Sequence, residues 1–200
     1  MKTSSFITKL LLPVLVVAGM LAAQGMLCAP QDVPLPPKPP DSGPSLADTV
    51  KFVEDKLDEQ GKMNYVVYIH DDAQGTDGTV SRSSEISKVR ASAADCRIDY
   101  HWIQEINGEV GSETDRWFPL KDVRDIEVMP IEQRFKEIDS AANHPELSTR
   151  TNPPVFDLIV RRPNKVVNEF EFLDETVANR VAKAMVHAVE LCGGGNNEPF

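Results

Sequence analysis

The sequence predicts an α+β domain built on an antiparallel sheet, and three observations carry that prediction. The segment Cys96 to Ile106 alternates cleanly, with Cys96, Ile98, Tyr100 and Trp102 on one face and Arg97, Asp99 and His101 on the other, so one side is core and the other wet. Seven strand-like runs follow one another, mostly through short turns, an order that suits antiparallel pairing. The last run, Val166 to Phe172, passes directly into a helix whose polar residues Asn179, Arg180, Lys183, His187 and Glu190 fill only about a third of the wheel. A helix so apolar elsewhere needs a neighbour on each of two sides. The sheet is one, and the amphipathic Ser45 to Gln60 segment is the other.

The first 25 residues read as an export signal: Lys2 and Lys9, an apolar run from Leu10 to Ala23, and a small-x-small cleavage site at Ala23-Gln24-Gly25. A lipid anchor on Cys28 and an uncleaved anchor are the alternatives, the first poorly served by Leu27, the second by a run shorter than the ~20 residues a span needs. The expected location is the periplasm, cell envelope or extracellular space. Residues 26–44 form a proline-rich linker, with seven prolines between Ala29 and Pro44, extended because proline fixes φ and lacks an N–H. The chain of 200 residues, 41% hydrophobic and 26% charged, supports one globular domain, placed at 45–192, with 193–200 as a disordered tail. Its net charge of −10 disfavours nucleic acid and anionic lipid heads as partners. Membrane association is expected only through an uncleaved signal or a lipid anchor.

Within the domain, Ser45 with Asp48 opens a helix whose stripe is Leu46, Val50, Val53 and Leu57, and Gly61 ends it. The period then changes from 3.6 to 2. Strands are expected at Asn64–His70, at Glu85–Ala91 after a polar, glycine-bearing loop, at Cys96–Ile106, at Asp115–Leu120, at Arg124–Pro130, at Val155–Arg162 and at Val166–Phe172. Ile131, Phe135 and Ile138 predict a short helix at the start of an otherwise irregular connection reaching Pro154. A connection of that length in a small domain carries function or is disordered, which makes it the first place to look for partner contacts. Asp174 caps the last helix and Gly193 to Gly195 end it.

Seven antiparallel strands closed by a C-terminal helix resemble the pleckstrin-homology-like (PH-like) superfold. The resemblance is architectural and covers about Met63 to Cys192, including "FPLKDVRDIEV", similar to its paired middle strands, and "FEFLDETVANRVAKAMVHAV", similar to its last strand and capping helix. It implies a seven-stranded barrel or sandwich, here with an extra N-terminal helix packed on it. The helix tryptophan of pleckstrin-homology domains is absent. So is the basic first hairpin of phosphoinositide binders, where Asp71, Asp72 and Asp77 stand instead. The fold does not specify a function.

No motif for catalysis, metal or cofactor emerges: there is no Gly-x-Ser-x-Gly elbow, no His-Glu-x-x-His and no phosphate-cradling loop. The expectation is a non-enzymatic, cofactor-free binding module for a protein or peptide. An extracytoplasmic hydrolase with an unrecognised carboxylate site and a structural envelope protein are the rival readings. Candidate contact residues are Trp117, the best aromatic anchor, with Phe135, His144 and Arg150 in the irregular connection. Cys96 and Cys192 are either a disulfide or two buried thiols.

Overall fold

Ser45 opens the first helix because its hydroxyl oxygen accepts the Asp48 backbone N–H at 3.2 Å and its proton goes to the Asp48 carboxylate at 2.6 Å. That arrangement also sets a negative charge at the positive end of the helix. The computed structural model describes residues 43–142, 144 and 146–195. The expected export signal (1–25), the linker up to residue 42 and tail residues 196–200 lie outside the described residues.

Helix α1 spans Leu46–Gln60 and stops at Gly61, whose φ of 56° suits a residue without Cβ. Then come β1 (Lys62–Asp71), β2 (Thr76–Ser92), β3 (Arg97–Ile106), β4 (Glu109–Pro119), β5 (Asp125–Pro130), α2 (Ile131–Ala141), β6 (Leu147–Asn152), β7 (Phe156–Arg161), β8 (Val167–Phe172) and α3 (Glu175–Leu191). The strands form two antiparallel sheets, one of five strands in the order β4-β3-β2-β1-β6 and one of three in the order β5-β7-β8. The α+β class, the antiparallel pairing and the two terminal helices agree with the sequence.

Two expectations are corrected. Eight strands are present among the described residues rather than seven, because Leu147–Asn152 is a strand where an irregular connection was expected. Its alternating Leu147, Thr149 and Thr151 carry little apolar weight, and β1 holds it in the sheet, with Val67 opposite Thr151 and Ile69 opposite Thr149. The same reason lengthens β2 backwards through the polar stretch Thr76–Ser84, which pairs with β1 along its whole length. Nor is there a closed barrel: the five-stranded sheet ends at β4 and β6, with no ladder joining either to the smaller sheet.

The core lies where α3 crosses the smaller sheet. Ala178, Val181, Met185, Ala188 and Val189 of α3 are buried against Leu158, Val160, Phe170 and Phe172 of β7 and β8, with Val50, Val53 and Leu57 of α1 and Ile98, Tyr100 and Phe118 of the larger sheet completing the cluster. α1 packs directly on both α3 and β2. The burial of α3 is narrower than its wheel implies, since Val186 and Leu191 remain exposed.

The far end of α3 is fixed twice. Cys192, which caps the helix, is disulfide-bonded to Cys96 at the start of β3, with Cα atoms 5.8 Å apart. Beside it the chain passes so close to the turn after β4 that a Cβ on Gly194 would lie 2.7 Å from the Leu120 carbonyl oxygen, and Gly194 donates its N–H to Val189 at 2.8 Å. The bond closes a loop between residues 96 positions apart, so loop-closure entropy gives it about 4.5 kcal/mol on the chain-entropy model. Replacing both cysteines with alanine is expected to lower unfolding stability by roughly 2–4 kcal/mol in denaturant titrations, with near-native circular dichroism before the transition.

Candidate binding surface

The five-stranded sheet is wider and longer than the core beneath it, so it ends in two edges that differ in chemistry. At β6 the edge is covered at one end: the Thr151 backbone N–H and hydroxyl both donate to Glu132 Oε1 of α2, at 2.8 and 2.5 Å. α2 is itself held to β8 by Arg134, whose Nε and Nη2 donate to Glu169 Oε1 at 2.8 and 2.7 Å. At the other edge β4 pairs with β3 alone through ten of its eleven residues, and the Thr114 hydroxyl, donating to the Asp115 carbonyl at 3.3 Å, is a side-chain contact on its backbone.

Side chains on the solvent face of β4 are acidic and aromatic. Glu113 and Asp115 flank His101, whose Nδ1 lies 2.7 Å from Asp115 and Nε2 3.3 Å from Glu113. Trp117 stands opposite Asp99, 56% exposed, with the Arg97 guanidinium 5.4 Å from its ring centroid. Its neighbour Phe118 points the other way and is fully buried. Strand alternation alone therefore brings one aromatic into the core and leaves the next on the surface.

The other candidate residues do not converge on Trp117. Arg150 sits on β6, four strand positions away across the sheet and in register with the opposite end of β2, Thr79 rather than Arg90, with its guanidinium 5.1 Å from the Tyr68 ring centroid on β1. It borders an open groove of about 420 Å³ shared with Tyr68, His70, Asp77 and Thr79. His70 Nδ1 lies 2.8 Å from Asp77, and that contact holds the imidazole above its ordinary pKa. Phe135 is on α2 and faces the opposite side of the sheet, half-buried under Arg82. His144 follows α2, exposed, with Nδ1 3.1 Å from Glu146. Among the described residues no three His, Cys, Asp or Glu side chains are grouped to hold a metal ion.

One cluster escaped the sequence reading. Asp157 and Glu171 stand directly opposite each other across β7 and β8, enclosed between the smaller sheet and β1. Tyr65 donates to Glu171 Oε1 at 3.0 Å, while Asp157 Oδ1 and Glu171 Oε2 have no hydrogen-bond partner among the described residues. Burial pushes Asp157 up to about 8, with the Glu169 and Glu171 charges adding and Arg134 opposing. Burial likewise raises Glu171, against the Tyr65 hydrogen bond and the Arg82 charge. The readable signal was the single acid inside the apolar run Val155–Val160. Neither carboxyl lines the grooves at β1 and β6, so no substrate path reaches the pair from there.

No protein-family model, curated protein or solved structure matches the chain.

Because the native pKa of Asp157 is raised above the unfolded one, its contribution is fully present below about pH 4 and is lost as pH rises towards 8. Unfolding measured by denaturant at pH 5, 7 and 9 is expected to show native stability falling between the extremes by roughly 4 kcal/mol more than that of Asp157→Asn. Equal slopes for the two proteins would remove the buried acid from this account.

Proposed function

We propose that the protein is an exported, non-enzymatic binding module that receives an extended peptide along the open edge of β4. Strand addition needs a run of unpaired backbone groups for affinity and side-chain contacts for register. The observation that carries the reading is the contrast between the edges: α2 covers the end of β6 through Glu132, while β4 pairs on one side only, with no helix across it among the described residues, and presents Trp117. Two antiparallel sheets with a C-terminal helix are compatible with a PH-like sandwich, where an open edge or the groove beside the capping helix receives peptides. Here α1 packs beside α3, which leaves the edge as the free route.

Charge indicates the kind of peptide. Glu109, Glu113 and Asp115 on β4, with Asp99 behind them, outnumber Arg97 and Arg116, so a peptide with basic side chains at alternate positions is complementary. The bulge that leaves Gly111 unpaired, together with the same charges, guards the edge against indiscriminate pairing. The segment 131–154 then serves mainly to cover the opposite edge.

A decapeptide alternating valine and lysine is expected to bind saturably by calorimetry, and its valine–glutamate counterpart not to bind. Trp117→Ala should weaken binding about tenfold, near 1.4 kcal/mol, and Glu113→Lys with Asp115→Lys should weaken it further. Amide exchange should slow along 109–117 and stay unchanged along 147–152. Binding that is indifferent to Trp117, or protection confined to β6, would defeat the proposal.

A further inference from the structure

On the core-facing side of the larger sheet, beyond the point where the smaller sheet covers it, lies a second groove of about 310 Å³. Its floor is Val67, Ile69 and Val80, one wall is Phe135 of α2, and Ile106 at the end of β3 is 38% exposed beside it. α2 roofs the strip only partly, because its buried anchor is Ile131 alone and the helix then rises from the sheet, leaving Ile138 in solvent. The groove is thus an apolar surface with one side open, of the size at which small-molecule sites begin.

Two charged side chains border it, Arg82 and Asp139, and neither makes an ion pair within 4.0 Å among the described residues. Asp139 lies one helical turn beyond Phe135, near the end of α2. Arg82 reaches over the Phe135 ring, 5.1 Å from its centroid, and makes no ion pair within 4.0 Å among the described residues. Burial raises the Glu171 carboxyl, and the Arg82 charge opposes that rise. An arginine whose planar face is packed on an aromatic ring keeps its edge N–H donors free for a carboxylate.

We infer that this groove binds a single-chain anionic amphiphile, its alkyl chain laid over Val67, Ile69, Val80 and Phe135 and its carboxylate held by the Arg82 guanidinium. The site is separate from the β4 edge and goes beyond the peptide-binding reading. The occupant follows from the charge. A neutral apolar ligand would leave Arg82 desolvated without a partner, and a cationic one would be repelled by it.

Dodecanoate, dodecanol and dodecyltrimethylammonium, each below its micelle concentration, test the inference on the full chain. Binding is read from methyl resonances of Ile69, Val80 and Ile106 and from calorimetry, the methyls separating the groove from any other apolar part of the chain. Dodecanoate is expected to shift those methyls saturably and to bind at least tenfold more tightly than the other two. Arg82→Gln should weaken dodecanoate at least tenfold and leave dodecanol unchanged. Ile106→Glu, at an exposed position that spares the core, should weaken both. Methyls that do not respond to dodecanoate, equal affinity for the ammonium amphiphile, or an Arg82→Gln variant with unchanged dodecanoate affinity would each overturn the assignment.

Discussion

The packing of α3 across the smaller sheet, with α1 laid against its other flank, is the constraint from which the rest of the structure follows. The buried residues of α3 are Ala178, Val181, Met185, Ala188 and Val189, and four of these five are small or short. Small side chains let α1 and the strands β7 and β8 approach closely, and Phe170 and Phe172, both fully buried, fill the centre of the cluster. Tilted contacts from Phe170 to Tyr100 and Phe118 then tie that centre to the larger sheet, with ring centroids 5.0 and 6.2 Å apart. The disulfide and the close approach at Gly194 hold the far end of the same helix.

β8 shows how one strand serves two environments. Asn168, Phe170 and Phe172 face the main core, where Asn168 donates to the Tyr100 hydroxyl at 2.8 Å. Glu169 and Glu171 face β1 and α2, where they meet Arg134 and Tyr65. The apolar face is fully buried and the polar one half covered, with Glu169 reaching solvent while Asp157 Oδ1 and Glu171 Oε2 are buried without a partner among the described residues. The buried Asp157–Glu171 pair is the residue of that incomplete match. It remains in the fold because each acid can take up a proton, which costs less than burying two charges.

The larger sheet outgrows this core, and its surplus creates the surfaces on which function is argued. β2 runs 17 residues and β1 ten, while the strands of the smaller sheet have six each. The excess needs cover at one edge, which α2 supplies through Glu132, and leaves the opposite edge and a strip of floor open. The four candidate contact residues are spread over both edges and both faces of that sheet. No single site unites them, because strand order, which separates β4 from β6, is invisible to a reading along the chain.

Much of the fold was legible because it depends on local periodicity. Ser45, Gly61 and Asp174 mark helix ends by hydrogen-bonding chemistry that acts within four residues, and the alternation of Ile98, Tyr100 and Trp102 assigns a face without reference to any partner. The α+β class, the antiparallel pairing and the presence of two terminal helices were therefore determined by the sequence itself. What tertiary structure alone decided are matters of pairing at a distance. Leu147–Asn152 became a strand because β1 offered an unfilled edge, not because of its own composition. Trp117 rather than Phe118 reached the surface because the core lies on one particular side of β4. Asp157 met Glu171 because of a register between strands that no short-range rule specifies, since hydrogen-bonded ladders are set by the sum of contacts along both strands.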